Sequence, residues 1–368
     1  MGTNVGKLGG AVARFATLQD IVQQARSNLD RDHWDYLIGG SDTEASLRRN
    51  RHGVDSWVFR PRILNDVSDV DIASELLGTP LAIPVVLPPI GSIQLFDPAG
   101  GQAVAEAARD FGVLQILSSV CTPDFETLAA AVPGPRSYQL YLMGDQAWLD
   151  DIIGRAMAAG YTGFCLTADT QNYSRRERDI LKRFVPPSGS QAGSAAFNFQ
   201  TTMTWDTVAH IKETFDIPLL IKGVNVAEDA ARCVEAGVDV VYVSNHGGRQ
   251  LDHTRACIDA LPEVVAAVDG RVPVVVDGGF LRGADVVKGL CLGADAVGMG
   301  RLEGFAVAAG GRDALVRALE LVEREIRLTM ALLGMSSISQ LHPGLLERAE
   351  PVGPSHVLSA FPFLDEGY

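Results

Sequence analysis

From residue 80 onward, short apolar runs recur along the chain, and each closes in polar residues or glycine. There are eight of them: 84–89 (PVVLPP), 114–119 (LQILSS), 137–142 (SYQLYL), 163–169 (GFCLTAD), 218–224 (PLLIKGV), 240–247 (VVYVSNHG), 272–279 (VPVVVDGG) and 296–301 (AVGMGR). Within each run the hydrophobicity is continuous rather than alternating. Both faces of such a strand are buried, as in a parallel sheet covered by helices. The intervening segments 101–111, 122–131, 146–159, 204–215, 227–236, 256–267 and 284–292 have helical character. Gly112, Gly160, Gly237 and Gly293 stand where a helix C-terminus favours glycine. Eight alternating units predict an α/β fold, a (β/α)8 TIM barrel over about residues 80–335.

Outside the repeat, residues 17–50 read as two or three helices of an N-terminal extension (15–50), and 311–333 as a long final helix. Residues 340–368, with scattered prolines, read as an irregular tail. The longest interruption, 184–203, lies between strands four and five and is rich in Ser, Gly, Gln and Ala. A loop of that length at the active-site face suits a mobile lid, and a tolerated insertion reads equally well. The 368 residues are expected to form one domain.

Composition narrows the chemistry. The hydrophobic fraction of 47% supplies a large core. A formal charge of −14, with no Lys/Arg run, disfavours nucleic acid and anionic lipid as partners. No apolar stretch reaches the length of a membrane span, and the N-terminus lacks a signal-peptide pattern, so the expectation is a cytoplasmic protein. Cys121, Cys165, Cys233, Cys257 and Cys291 are scattered without a CxxC pair, which suggests buried thiols rather than disulfides or a zinc site. Small-molecule chemistry remains.

In barrels of this kind catalytic groups cluster at the C-terminal ends of the strands. Those ends carry Gln139 and Tyr141, Thr167 and Asp169, Lys222, and the run Ser244 to Arg249, which includes His246; Arg176 follows strand four by seven residues. Any one of these could be an ordinary satisfied strand end, but together they point to a site. Strands seven and eight close with Asp277-Gly278-Gly279 and Gly298-Met299-Gly300-Arg301. Glycine-rich ends in this position form a phosphate site, because backbone N–H groups and a helix N-terminus can reach the anion and Arg301 adds charge. Lys222 ends an apolar strand, where a lone buried ammonium is costly unless it has work to do.

The motifs SNHGGRQLD (244–252), QLY (139–141), LTADT…RRERD (166–179), IKGV (221–224) and DGGFLRGADVVKGLCLGADAVGMGR (277–301) resemble those of the FMN-dependent 2-hydroxy acid oxidases and dehydrogenases, over roughly residues 15–341. The resemblance implies a flavin held by Pro89, Ile90, Gly91, Ser118, Gln139, Thr167, Lys222 and Ser244, with Asp277, Gly278, Gly279, Arg282, Gly300 and Arg301 around its phosphate end. It implies a substrate held by Tyr36, Tyr141, Arg176 and Arg249. Guanidinium pairs suit a carboxylate, His246 suits a proton acceptor, Asp169 can orient its imidazole, and Lys222 can face negative charge on the reduced flavin. The family further implies a tetramer or octamer and an acceptor that is O2, a quinone or a dye. Two other readings stay open: a flavoenzyme of the same family that oxidises a carbon next to nitrogen, and a non-catalytic flavin-binding protein. The first would not need both arginines, and the second would tolerate loss of His246, Asp169 or Arg249; all are present.

The sequence also departs from the family pattern. Leu281 stands where an arginine usually follows the DGG glycines, with Arg282 one place on; Leu302 replaces a proline after Gly-Arg, Gln171 the proline of DTP, and Asp97-Pro98-Ala99-Gly100-Gly101 a His-Pro-x-Gly-Glu. Gly91 stands where fast oxidases tend to carry alanine, which points to slow reoxidation by O2 relative to a quinone or dye. Val120 and Met143 stand where glycolate oxidase has aromatic residues. Together with Gly91 they imply room for a medium or large apolar or aromatic side chain on an S-2-hydroxy acid.

Overall fold

The computed structural model describes residues 15–192 and 195–366. The N-terminal stretch read for a leader, two positions of the lid and the last two of the tail lie outside them. Three helices precede the barrel: α1 (Leu18–Asn28), α2 (Arg31–Ile38) and α3 (Ala45–Asp55). Thr17 and Asp20 form a capping box at the start of α1, and the Asp30 carboxylate caps α2 by accepting from the His33 N–H. Strand β1 (Trp57–Phe59) and a hairpin of β2 (Ser74–Leu76) and β3 (Thr79–Leu81) follow. The barrel strands are β4 (Val85–Leu87), β5 (Leu114–Ser118), β6 (Ser137–Leu140), β7 (Gly163–Thr167), β8 (Leu219–Val224), β9 (Val240–Val243), β10 (Val274–Val276) and β11 (Ala296–Gly298). All eight pair in parallel in chain order, and β11 closes onto β4. Every predicted run forms a strand. The observed strands are shorter, and in most runs it is the last residues that leave the ladder to build the upper loops; the run at 218–224 instead loses Pro218.

Between the strands lie α4 (Gly101–Phe111), α5 (Phe125–Ala131), α6 (Gln146–Ala158), α7 (Glu177–Lys182), α8 (Pro187–Ala192), α9 (Trp205–Thr214), α10 (Ala227–Glu235), α11 (Cys257–Val268) and α12 (Gly283–Cys291). The second predicted helix starts three residues late because Asp124, whose carboxylate accepts from the Glu126 and Thr127 N–H groups, caps it. The final helix α13 (Gly300–Leu333) starts directly after β11, so Arg301 belongs to its first turn and not to a strand end. It breaks at Gly310 and Gly311; Gly311 has φ +60°, and a side chain there would meet Asp97.

Inside the barrel, Ile116, Cys165, Leu220, Val240, Tyr242 and Val275 pack with Leu76 and Leu81 of the β2–β3 hairpin, which plugs the N-terminal end. That hairpin was not predicted. The tail is not wholly irregular either: β12 (Leu346–Arg348) pairs antiparallel with β1, Phe59 opposite Leu346. The predicted lid holds α8 and a 3-10 segment over Ala195–Thr202. Gln200 of that segment is fully buried; it accepts from the Leu142 N–H at 2.6 Å and donates to the Thr167 carbonyl at 2.9 Å. Among the described residues no helix is long and apolar enough to cross a membrane, and no acidic, histidine or cysteine grouping could hold a metal. The five cysteines are free thiols, four of them buried and Cys121 partly so.

Candidate active site

Beyond β9 the chain turns through His246, Gly247 and Gly248, with φ of 58°, 65° and 76°. A histidine in that left-handed region is strained, and the turn aims its ring across the barrel mouth instead of along the strand. Gly248 has no alternative, since a Cβ would lie 2.5 Å from the Leu47 N of α3. Gly279, φ 92°, is crowded in the same way by the Asn50 backbone. Asn50 and Asn245 exchange side-chain hydrogen bonds of 2.7 and 2.9 Å. The N-terminal extension is thereby locked onto the strand-end loops.

His246 Nδ1 lies 3.1 Å from Asp169 Oδ1, which leaves Nε2 toward the cleft, 3.5 Å from the Tyr141 hydroxyl. Burial, helped by Lys222 and Arg176, holds the imidazole below its ordinary pKa of 6.5 despite Asp169, so it is neutral at rest. Burial alone would raise Asp169, but His246, Lys222 and the Thr170 hydroxyl outweigh it and keep the carboxylate ionised. Burial pushes the Tyr141 phenol well up, leaving it a donor. The arrangement is an oriented neutral base with a fixed carboxylate behind it. Lys222 is not alone: its Nζ donates to Ser244 Oγ at 2.6 Å and sits 3.0 Å from Asp277 Oδ2. Burial would lower its pKa, but Asp277 and Asp169 hold it above the ordinary lysine value.

The walls are cationic. Arg249 Nη1 donates to the Tyr36 and Gly39 carbonyls at 2.6 and 2.9 Å, and its guanidinium lies 4.7 Å over the Tyr36 ring. Arg176 stacks at 4.6 Å on Tyr173, and its Nε has no partner. Arg301 donates to the Gly247 and Gly39 carbonyls. Burial, Arg249 and Arg176 bring its pKa down to about 9. Among the described residues no carboxylate forms an ion pair with any of these three arginines. Arg176 is buried and Arg249 and Arg301 are half-buried, and cations left unbalanced in such a setting await anions.

One cleft joins these groups, with about 1290 Å³ of empty space, its open mouth included. Tyr36, Pro89, Ile90, Gly91, Val120, Tyr141, Met143, Arg176, Lys222, His246, Arg249, Asp277, Gly278, Gly279, Gly300 and Arg301 line it.

A family model described as "FMN-dependent dehydrogenase" matches residues 25–348. The chain belongs to that family. Glycolate oxidase 1 of Oryza sativa subsp. indica is 37% identical over 337 residues, 86% of this chain and 91% of that one. An L-lactate oxidase of Nostoc sp. is 34% identical over 361 residues, 91% and 99% of the two chains. A crystal structure of a mandelate oxidase with 3,3-difluoro-2-hydroxy-3-phenylpropionic acid is 38% identical, with a TM-score of 0.84, covering 92% of this chain and 100% of that one. This member of the FMN-dependent dehydrogenase family is thus an FMN-dependent oxidoreductase acting on the CH–OH group of 2-hydroxy acids.

The residues present fit FMN. Gln139 Nε2 and Thr167 Oγ1 are buried at strand ends without partners, as donors and acceptors for a polar ring edge would be. Arg301 meets the glycine loops where a phosphate needs a cation. Ser118, Gln139, Thr167 and Ser244 are buried within the strand ends and do not line the open cleft.

Arg282 corrects the sequence reading. It turns away from the cleft: Nε and Nη2 bind Glu325, and Nη1 donates to the Ala360 carbonyl at 3.1 Å. At a helix N-terminus one residue of offset selects the opposite side, and Arg282 lies on the outer one. The sequence reading missed Leu47, Arg51, Tyr173, Ser188, Phe280, Leu281 and Val357, which also line the cleft. Tyr173 carried a signal, three residues before Arg176. Ser188 carried none until the lid folds and its hydroxyl comes 3.2 Å from that of Tyr36.

Proposed function

We propose that this enzyme oxidises an S-2-hydroxy acid with a medium or large apolar or aromatic side chain, using His246 Nε2 to take the proton that leaves the substrate. The observation that carries this reading is the set of buried and half-buried arginines without carboxylate partners beside an oriented neutral imidazole in one cleft. Arg176 and Arg249 clamp the substrate carboxylate, and Tyr36 and Tyr141 hold it by their hydroxyls. Once protonated, His246 is stabilised by Asp169. FMN would be held by Pro89, Ile90, Gly91, Ser118, Gln139, Thr167, Lys222 and Ser244, with its phosphate at the two glycine loops and Arg301. Bound there, it supplies the two-electron acceptor. Lys222, kept charged by Asp277, would offset negative charge on the bound flavin.

Relatives named for glycolate, lactate and mandelate are similarly close, so substrate size rests on the cleft's own residues. Val120 and Met143 line it with Phe96 and Ile90, and Val120 packs against Gly91, where an added Cβ would come within 2.7 Å of it. Filling such a surface gains about 0.8 kcal/mol per buried methylene, enough over several carbons to separate substrates by orders of magnitude. The bare Gly91 also favours a quinone or dye over O2 as the faster acceptor in this reading. The test is kcat/KM for both hands of lactate, 2-hydroxyoctanoate and mandelate, with glycolate alongside. A maximum at S-mandelate or S-2-hydroxyoctanoate is expected, and a maximum at glycolate overturns the assignment.

A further inference from the structure

The family match ends at residue 348, but the cleft does not. Val357, beyond that limit, lines it together with Phe280, Leu281, Gly300 and Arg301. The segment carrying Val357 is fastened on both sides. Ser355 Oγ donates to Asp55 Oδ2 at 3.0 Å, while Asp55 Oδ1 accepts from Arg51 Nε at 2.9 Å and Arg51 Nη1 donates to the Gly279 carbonyl at 2.8 Å. One carboxylate thus ties the tail to the glycine loop. Further on, the Ala360 carbonyl accepts from Arg282. Phe361, 2% exposed, stacks edge-on against Phe305 at 6.3 Å and lies 5.9 Å from the Arg282 guanidinium. At the glycine-loop end of the cleft Arg51 is neutralised by Asp55 and Asp285, so the guanidinium left without a carboxylate there is that of Arg301, beside an apolar wall of Phe280, Leu281 and Val357.

We propose that residues 355–361 are the end wall of the flavin site, with Val357 a cofactor-binding residue and Arg282 a positioning residue that acts through the tail. This rests on the placement of the FMN phosphate at the glycine loops. A single arginine free of carboxylates suffices there because the wall keeps water and salt from the Arg301–phosphate pair, and an ion pair strengthens as the surrounding dielectric falls. Arg282, three residues past Gly279, serves the phosphate at one remove.

Flavin fluorescence titration of the apoprotein reads this directly, without turnover. Val357→Asp, Arg282→Ala and deletion of 350–368 are each expected to raise the Kd for FMN roughly tenfold or more, the scale of one buried valine contact. Arg282→Ala made in the deletion background is expected to add nothing, since both changes remove the same wall. Val357→Asp at the parent Kd overturns the proposal, as does Arg282→Ala exerting its full factor without the tail. Circular dichroism of each apoprotein checks that it folds. Should the deletion not fold, Phe361→Ala takes its place as the change that frees the tail, with the same outcomes. The phosphate placement is checked separately by the FMN-to-riboflavin affinity ratio of Arg301→Ala, which falls if the phosphate sits there.

Discussion

With His246 as the proposed base, the Asp169–His246 pair is expected to set the pH response of the enzyme. The His246 pKa lies below 6.5, so the base is competent at neutral pH, and kcat/KM is expected to fall only as pH drops through that lowered value. Asp169→Asn removes the group that raises the imidazole pKa. The acid limb should move to still lower pH while kcat drops by roughly two to four orders of magnitude, because the imidazolium loses its partner. A pH–rate profile of the variant whose limb stays in place or moves up would reject the pairing. The residues of this pair were legible in the sequence because each closes an apolar strand, and barrel geometry gathers strand ends at one face. Arg282 was not, since whether a side chain at a helix start faces inward or outward depends on what packs outside, here Glu325 and the tail. Arg51 and Leu47 were hidden for a related reason: nothing in an N-terminal helix says which loop it will cover.

The eight barrel strands were readable because continuous apolar runs bounded by glycine have few other uses. The hairpin of β2 and β3 and the strand β12 were not, because three-residue strands carry no period and form only against a partner already in place. The lid was ambiguous between a mobile cover and a passive insertion, and the structure anchors it through Gln200. Gln200→Ala would leave the Leu142 N–H and the Thr167 carbonyl buried and unpaired, at a cost of roughly 1–3 kcal/mol. The expected result is faster hydrogen exchange over 195–203 and a raised KM, because Tyr141 adjoins one anchored position, Leu142, and Thr167 is the other. Unchanged exchange in that stretch would show the lid to be held by other contacts.

At the scale of the whole molecule, burial of Glu303 opposes folding. Glu303 on α13 is 2% exposed, its Oε2 has no partner, and burial pushes its pKa well above the ordinary value of 4.5. The folded protein therefore holds a proton there that the unfolded chain releases, so stability is lost as pH rises above the ordinary glutamate value toward the raised one. Glu303→Met should add roughly 1–2 kcal/mol at pH 8 and less at pH 4.5, read as the difference in denaturation midpoint between the two conditions. An equal gain at both would mean the carboxyl finds a partner in the folded state. The pairing of β1 with β12 has a consequence for how the enzyme is made. Tyr36 and Arg51 near the start and Val357 near the end wall the same cleft, and the two short strands join these stretches. A chain leaving the ribosome N-terminus first can close much of its barrel before residues 346–361 emerge, and with the end wall as proposed its flavin pocket is incomplete until they do. Loading with cofactor is then expected to follow the emergence of that segment, and ribosome-stalled chains truncated before residue 346 are expected to carry a folded barrel and little flavin.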